Sequence, residues 1–305
     1  MSNLISTVII CYNQAHFLAE AIQSVIDQDY TKKEIIVVND GSVDNTREVA
    51  LSFGDSVIYV EQENRGVAVA RNRGIKESTG EYISLLDSDD IYMPSFLATL
   101  SSYLDNYPDV GLVCSDALIF NRKGDIGLRS IVFNKPKCKE NFRWETVEFI
   151  AYPSTVMFRR SCLERTGLFE EGLSKIGAND WLMWVKMSLH LNLAYINKPL
   201  LKYRLHEYNA SKSEQQIALS YRKASAFMVN SPMFMDYPPQ YRAKLLFFRF
   251  ATAWHEGPKM LSVRYFIEAL RTDPSQLPYG LTVIRKGITR TVQRFIKRFS
   301  KKSKE

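Results

Sequence analysis

Short apolar runs alternate with amphipathic stretches along the first ninety residues of the chain. The runs are rich in β-branched residues, which is typical of strands buried in a parallel sheet. The stretches between them repeat apolar residues every three or four positions, the period of a helix that packs on one face. The pattern predicts strands at Ile5–Cys11, Glu34–Val38, Val57–Val60 and Tyr82–Leu86, and helices over 15–27, 45–52 and 66–77. This order predicts an α/β fold with a mostly parallel central sheet and helices on both faces.

The rest of the chain divides into a continuation of this domain and a helical region. Further strands are predicted at Gly111–Phe120 and Ser154–Phe158, and further helices over 95–107 and 180–191, whereas residues 121–150 are less regular. Beyond about residue 215 the strand pattern stops, and helices are predicted over 215–229, 239–255 and 259–271. Pro-Pro and Gly-Pro pairs separate the helices. We therefore expect an α/β domain over 1–214, a helical region over 215–280 and a tail over 281–305.

Polar residues follow three of the predicted strands. The first strand ends in Cys11-Tyr12-Asn13, the second is followed by Asn39-Asp40, and the fourth by Asp87-Ser88-Asp89-Asp90. Ligands of parallel α/β sheets bind beyond the carboxyl ends of the strands. Three strands that end in polar or acidic residues therefore predict a ligand site at that edge.

The acidic cluster Asp87-Ser88-Asp89-Asp90 is a candidate metal site. Side chains two residues apart on an extended chain point the same way, so Asp87 and Asp89 are expected to converge on one ligand. Carboxylate oxygens suit Mn²⁺ or Mg²⁺, and such ions commonly complete their shell with substrate phosphates. A group of helix-capping acids before Met93-Pro94-Ser95 explains the tetrapeptide equally well. The tetrapeptide alone leaves both interpretations open.

Each of four further residues has two interpretations, one as a ligand-binding or catalytic residue and one as a residue with a purely structural role. Asp40 either accepts a hydrogen bond from a base or ribose, or belongs to a turn. Arg71 either pairs with a phosphate or a carboxylate, or lies on a solvated helix face. Asp180 opens an amphipathic helix and is either a general base or a helix cap. His206 is either a metal or phosphate contact, or a lone histidine near a domain edge.

Composition and charge narrow the class of protein. A hydrophobic fraction of 46% is ample for a packed core. The formal net charge is +7, but residues 285–304 hold nine Lys or Arg and no acid, so the rest of the chain is nearly neutral. The charge does not indicate a nucleic-acid-binding domain, and no nucleic acid partner is expected. The four cysteines lack metal or redox spacing, and no signal peptide or membrane span is predicted, so we expect a cytoplasmic protein.

The tail over 281–305 has the pattern of a basic amphipathic helix. Apolar residues recur every three or four positions, and Lys or Arg occupies most of the others. Such a helix is expected at an anionic membrane surface, here the inner face of the plasma membrane. The alternative is a helix that packs its apolar stripe on the α/β domain and leaves its charges in water.

Six segments, taken in order, resemble glycosyltransferase family 2. They cover roughly the first two thirds of the chain and read VIICYN (8–13), EIIVVNDGSVDNT (34–46), NRGVAVARNRGI (64–75), GEYISLLDSDD (80–90), GLFEEGLSKIGANDWLMW (167–184) and YRLHEYNAS (203–211). The resemblance implies a GT-A fold and an inverting hexosyl- or N-acetylhexosaminyl-transferase that uses a nucleotide diphosphate sugar, often a UDP-sugar. It also implies Mn²⁺ or Mg²⁺ as cofactor. Membrane attachment through the basic tail would suit a glycan or lipid-linked glycan as acceptor, in cell-surface polysaccharide or lipopolysaccharide biosynthesis.

The resemblance assigns a role to each candidate residue. It implies that the donor is bound by Cys11, Tyr12, Asn13, Asp40, Arg71, Asp87 and Ser88, the metal by Asp89 and His206, and that Asp180 is the catalytic base. Three positions depart from the family pattern: Ile10 stands where Pro or Thr is usual, Asn39 where an acid is common, and Asn179 where Glu or Asp usually precedes the base. The last departure removes a like charge beside Asp180, which favours a lower pKa for that base.

Two other classes of protein fit part of the pattern. A metal-dependent nucleotidyltransferase also pairs an α/β nucleotide site with Mg²⁺, but it releases pyrophosphate rather than a nucleoside diphosphate. A non-catalytic interaction protein would use the helical region to bind a partner. The presence of Asp89, Asp180 and His206 together argues against this last class.

Overall fold

A computed structural model of the chain describes residues 3–129, 151–174, 177–207, 209, 214–254 and 259–285. The chain forms two compact units, Met1–Glu214 and Gln215–Glu305. Residues 286–305, which make up most of the predicted basic tail, lie outside the described residues.

The first unit is built on one sheet. Its strands are β1 Ile5–Cys11, β2 Lys33–Asp40, β3 Ile58–Gln62, β4 Tyr82–Asp87, β5 Ile91–Tyr92, β6 Val110–Asn121, β7 Gly124–Arg129, β8 Val156–Arg159 and β9 Asn192–Arg204. They lie in the order β3-β2-β1-β4-β8-β6-β9-β5, and β7 pairs with β6. Strands β3, β2, β1 and β4 are mutually parallel, β6 and β9 are also parallel, and β5, β7 and β8 pair in the antiparallel sense. The predicted α/β fold with a mostly parallel central sheet is confirmed.

Helices cover this sheet and complete its core. They are α1 Ala15–Ile26, α2 Thr46–Leu51, α3 Val67–Glu77, α4 Phe96–Asn106, α5 Cys162–Thr166 and α6 Asn179–His190. Every residue of β1 is buried, as expected for a central parallel strand. Helix α3 packs closely on β1, because a Cβ added to Gly74 would lie 2.3 Å from Cγ1 of Val8. This close packing fixes α3, which carries Arg71, against the middle of the sheet.

Four elements of the first unit were not predicted from the pattern. They are β5, β7, β9 and α5. Strand β5 has two residues and α5 has five, so neither is long enough to show a period. Strand β9 contains Pro199, and its pairing with β6 is interrupted by register shifts around Asp116, which break the alternation of apolar and polar positions.

The second unit is helical in its described part. Its helices are α7 Glu214–Asn230, which begins at the last residue of the first unit, α8 Pro239–Trp254 and α9 Lys259–Thr272. Phe266 of α9 packs edge-on against Phe247 and Phe250 of α8, with ring centroids 5.3 and 5.4 Å away. Within the described ranges, no helix has both the length and the apolar character needed to cross a membrane.

Candidate active site

The register of the sheet brings three of the predicted strand ends together. Cys11 of β1 lies opposite Asn39 of β2, and Ile10 of β1 lies opposite Asp87 of β4. Because these strands are parallel, the segments that follow them leave the sheet at the same edge. The polar residues that were singled out from separate stretches of sequence therefore share one edge of the sheet.

Asn13 joins the segments that follow β1 and β2. Its backbone φ is +53°. Its N–H donates to Oγ of Ser42 at 2.9 Å, and its side-chain Oδ1 accepts from the N–H of Val43 at 2.8 Å. The neighbouring Tyr12 is 49% exposed, which leaves a large aromatic surface open at this edge. An exposed ring beside the strand ends suits the predicted contact with a base.

Cys11 and Ser88 are buried, and their side chains are engaged within the protein. Sγ of Cys11 lies 3.5 Å from Oγ1 of Thr46, and burial raises the pKa of this thiol. Oγ of Ser88 donates to Oε1 of Gln14 at 2.6 Å. Both residues therefore stabilise the loops around the strand ends, and their predicted contact with the donor stays a prediction.

The carboxylate of Asp40 holds the turn that leads into α3. It accepts hydrogen bonds from the N–H groups of Arg65 and Gly66 at 3.0 and 2.8 Å and from Nε2 of Gln62 at 2.7 Å. Gly66 has a φ of +87°, and a Cβ there would lie 2.8 Å from Oγ of Ser174, so glycine suits the position. A carboxylate has about four lone-pair sites, and three are used here. Asp40 is buried, so its contact with a base or ribose stays a prediction.

Arg71 is a buried member of the site. Its side chain is 6% exposed, so the interpretation as part of a solvated helix face is wrong. Nη2 donates to Oδ1 of Asp87 at 2.8 Å, and Nη1 donates to Oδ1 of Asn179 at 3.2 Å. The Asp87 side chain is 35% exposed, which leaves it open to a ligand on one side.

Asp89 and His206 form a hydrogen-bonded pair. Nε2 of His206 lies 2.7 Å from Oδ2 of Asp89, and Nδ2 of Asn209 donates to the same oxygen at 3.3 Å. Burial raises the pKa of Asp89, the Asp87 carboxylate raises it further, and the hydrogen bond with His206 acts in the opposite direction. The late histidine is thus a direct neighbour of the acidic cluster, although 117 positions separate them in sequence.

The acidic cluster lies in a turn. Strand β4 ends at Asp87, and the N–H of Asp90 donates to the carbonyl of Asp87 at 3.0 Å. The expectation that Asp87 and Asp89 converge because the chain is extended is therefore wrong in its geometry, although the two carboxylates do act on each other. The cluster is not a helix cap either, because β5 separates it from Ser95, the residue before α4.

Arg204 fastens the end of β9 to the acidic cluster. Its backbone N–H donates to Oδ1 of Asp90 at 3.1 Å, and its side-chain Nε donates to the backbone carbonyl of Asp89 at 2.9 Å. Its guanidinium carbon lies 4.7 Å from the ring centroid of Phe17 and 4.5 Å from that of Phe120. This residue places His206, two positions later, beside Asp89.

Asp180 lies in the first turn of α6. Its Oδ1 accepts from the N–H of Trp181 at 2.8 Å. Burial raises the pKa of Asp180, the Arg71 charge acts in the opposite direction, and the Asp87 charge raises it. The residue that precedes the helix is Ala178, with a φ of +56°, so Asp180 is not the N-cap. A left-handed non-glycine residue costs about 1 kcal/mol or more, and such strain clusters at functional sites.

The residues present fit a divalent cation that is completed by its substrate. Asp89 and His206 supply a carboxylate and an imidazole, with Nε2 of His206 2.7 Å from Oδ2 of Asp89. The described residues contain no group of three or more His, Cys, Asp or Glu side chains arranged to hold an ion by themselves. This donor set suits Mg²⁺ or Mn²⁺, which commonly keep waters and bind substrate phosphates.

Three contacting residues of this edge were not singled out from the sequence. Asn209 reaches Asp89, Arg204 holds the cluster, and Oγ of Ser154 accepts from the N–H of Asp87 at 3.1 Å. Arg204 and Asn209 flank His206, so their position in that segment is the available signal. Nothing in the local sequence distinguishes Ser154.

A cavity of about 360 Å³ lies elsewhere in the first unit, at the start of β6. Its lining includes Val110, Arg159, Cys162 and His190. Val110 is the first residue of β6 and His190 the last residue of α6, so the cavity lies away from the strand ends that carry Asp40 and Asp87. It contains none of the predicted site residues.

The sheet order and the acidic cluster at its carboxyl edge define an α/β protein of the GT-A class. The chain belongs to glycosyl transferase family 2, whose family model matches residues 6–167. The resemblance seen in the six segments is thereby confirmed.

Curated relatives support this membership over about two thirds of the chain. An uncharacterised glycosyltransferase of Rickettsia typhi is 34% identical over 217 residues, which is 68% of this chain and 65% of the relative. The uncharacterised glycosyltransferase YibD of Escherichia coli is 30% identical over 234 residues, 70% of this chain and 65% of the relative. The matched region thus spans just under two thirds of the length of these relatives.

Solved structures share the fold. TarS of S. aureus (residues 1–349), determined in complex with UDP, has a TM-score of 0.66 at 20% identity and covers 97% of this chain and 91% of its own. Its complex with UDP-GlcNAc has a TM-score of 0.67 at 19% identity, with 97% and 92% covered. The mannosyltransferase PcManGT of Pyrobaculum calidifontis, with GDP-Man and Mn²⁺, has a TM-score of 0.53 at 19% identity, with 96% and 76% covered.

Proposed function

We propose that this chain is an inverting glycosyltransferase that moves a hexosyl or N-acetylhexosaminyl group from a UDP-sugar to an acceptor hydroxyl, with Mn²⁺ or Mg²⁺. The observation that carries this proposal is the position of Asp87. Asp87 lies in the same turn as Asp89, and Arg71 donates both to Asp87 and to Asn179, the residue directly before Asp180. These contacts support one site in which the candidate metal ligand and the candidate base lie near the same carboxylate.

Asp180 is proposed as the general base. Its carboxylate takes the proton of the acceptor hydroxyl while that oxygen attacks the anomeric carbon, and the bond from this carbon to the diphosphate breaks. The nucleoside diphosphate leaves with the bonding electrons, and attack from the opposite face inverts the anomeric carbon. A base with a raised pKa holds the proton better after transfer, while the Arg71 charge lowers the pKa of Asp180 and so favours its ionised form.

The donor is proposed to lie along the edge formed by β1, β2 and β4. Tyr12 presents an open ring for the nucleobase, Asp40 ends the neighbouring strand β2, and the Asp87 side chain is partly exposed. Asp89 and His206 would hold the divalent cation, which when bound neutralises charge on the leaving diphosphate. The UDP and UDP-GlcNAc complexes of TarS favour a UDP-sugar as the donor.

A donor screen tests this function. The full chain is incubated with UDP-glucose, UDP-galactose, UDP-GlcNAc and GDP-mannose, with Mn²⁺ or with a chelator, and the nucleotide products are separated. We expect Mn²⁺-dependent release of UDP from one of the UDP-sugars. In a parallel incubation with UTP and a sugar 1-phosphate, release of pyrophosphate would identify a nucleotidyltransferase. No turnover of any nucleotide sugar would contradict the proposal.

The acceptor is proposed to be a lipid-linked glycan used in the synthesis of a surface polysaccharide or lipopolysaccharide. The support is the basic amphipathic pattern of residues 281–305, which suits an anionic membrane. We expect the full chain to float with vesicles that contain phosphatidylserine, and to float less at high salt or after substitution of Arg285, Lys286 and Arg290 by glutamine. Equal flotation with neutral vesicles would contradict this contact.

A further inference from the structure

Arg71 is held by protein groups on opposite sides of the candidate site. It is 5% exposed, and its two Nη atoms donate to Asp87 of β4 and to Asn179 of α6. Its guanidinium carbon lies 5.8 Å from the ring centroid of Phe169. Its Nε is buried and has no hydrogen-bond acceptor among the described residues. A buried guanidinium with an unpaired N–H is costly, and such groups are retained where they have a function.

Helix α3 is tied to the chain segment that precedes α6. Asn72 donates to the carbonyl of Phe169 and accepts from its N–H, both at 2.9 Å. Oγ of Ser174 accepts from the N–H groups of Ala68 and Val69, at 2.9 and 3.2 Å, and thereby caps the start of α3. These contacts fix the segment up to Ser174, but they lie several residues before Asp180.

The hydrogen bond from Arg71 to Asn179 ties α3 to the residue that directly precedes Asp180. The chain enters α6 through Gly177 and Ala178, which have φ values of +92° and +56°. Asn179 is 2% exposed and is the first residue of the helix. Its contact with Arg71 therefore fixes how α6 begins, and with it the position of the Asp180 carboxylate.

We propose that Arg71 is a positioning residue that couples the base-bearing helix α6 to the donor-facing Asp87, and that Asn179 is its neutral anchor. The inference rests on the proposed function, because that function makes Asp180 the base. A neutral amide at 179 accepts a hydrogen bond without adding a negative charge, so the charge of Arg71 is shared by Asp87 and Asp180. An acid at 179 would compete with both for the same guanidinium.

The charged groups that act on Asp180 from neighbouring elements support this assignment. Arg71 of α3 lowers the pKa of Asp180, while Asp87 of β4 raises it, and burial is the largest effect and also raises it. Loss of the Arg71 charge, or a new carboxylate at 179, should therefore move the ionisation of Asp180 to higher pH.

Four variants of the full chain test the coupling. They are Arg71→Gln, Arg71→Lys, Asn179→Asp and the control Arg73→Gln. Arg73 lies on the same helix, but it is exposed and pairs with Glu77. The measurements are the pH dependence of kcat and kcat/KM with the donor that the wild type uses, and the affinity for UDP with Mn²⁺ by calorimetry.

We expect Arg71→Gln to lower kcat by roughly ten- to a hundredfold, to move the acidic limb of the pH profile to higher pH, and to weaken UDP binding by a smaller factor. Arg71→Lys keeps the charge but not the paired contacts with Asp87 and Asn179. We therefore expect kcat to fall while the acidic limb of the pH profile hardly moves. Asn179→Asp should move the acidic limb of the pH profile to higher pH. If Arg71→Gln does not fold, Asn179→Asp provides the test of the coupling. Arg73→Gln should match the wild type.

Two results overturn the inference. One is a loss of UDP affinity equal to the loss of kcat/KM in Arg71→Gln, with the acidic limb unmoved, which would make Arg71 a direct nucleotide contact. The other is an unmoved limb in Asn179→Asp. An active wild type with either result overturns this inference alone, whereas a wild type that turns over no donor contradicts the proposed function itself.

Discussion

Replacing Asp180 with asparagine is expected to lower turnover by roughly a thousandfold and to leave UDP binding unchanged. Asparagine keeps the size of the side chain and an Oδ1 that can accept from the N–H of Trp181, a contact of 2.8 Å in the wild type. It cannot take a proton from the acceptor. The measurement is single-turnover transfer together with calorimetric titration of UDP in the presence of Mn²⁺.

The same variant separates loss of the base from loss of the fold. The pKa of Asp180 is higher in the folded chain than in the unfolded chain. The free energy of unfolding therefore falls as the pH rises from the unfolded pKa to the folded pKa, and it stays lower above that range. Asp180→Asn removes that decrease, so its thermal midpoint at pH 7 should be higher than that of the wild type. Asp109→Asn, at an exposed position just before β6, is the matched control and should retain full activity. Normal turnover by Asp180→Asn would rule out the base assignment.

Asp89→Asn is expected to weaken Mn²⁺ binding by about a hundredfold and to abolish metal-dependent turnover. The carboxylate is the shared partner of His206 and Asn209, so its loss removes one candidate ligand and releases the orientation of another. Mn²⁺ binding in the presence of UDP can be followed by electron paramagnetic resonance, which does not depend on activity.

His206→Ala provides an independent arm of this experiment. It leaves Asp89 in place, so it should weaken Mn²⁺ binding less than Asp89→Asn does. Asp109→Asn is again the control. Wild-type Mn²⁺ affinity in both Asp89→Asn and His206→Ala would show that the ion, if bound, is held elsewhere.

Strands β1, β2 and β4, whose carboxyl ends form the proposed donor site, were predictable because each is a largely buried apolar run. Strands β1 and β4 are buried along nearly their whole length, and α1 between them has a clear apolar stripe. Their carboxyl ends could therefore be located, and with them Asp40 and Asp87. Strand β9 was missed because Pro199 and the shifts in its pairing with β6 hide the period of a strand.

The contacts that join these parts were not predictable from local sequence. Arg71 looks like a charged residue on an exposed face, but α3 is buried on most sides, including Ala70 and Asn72 next to it. Its partner Asn179 is 108 positions away, and Asp89 and His206 are 117 positions apart. A single sequence gives the chemistry of each side chain but not which distant segments meet. Only the ordered set of family-like segments indicated that these residues share a site.

The central claim is that carboxylates from separate parts of the chain form one site at the carboxyl edge of the sheet. This site binds the nucleoside diphosphate and also holds the catalytic base. A crystal structure of the full chain with UDP and Mn²⁺ tests it most directly. We expect the uridine beside Tyr12 and Asp40, and the diphosphate and ion between Asp87 and the Asp89–His206 pair, with Asp180 facing the same space. UDP bound away from that edge, for example in the cavity lined by Arg159 and His190, would contradict the account.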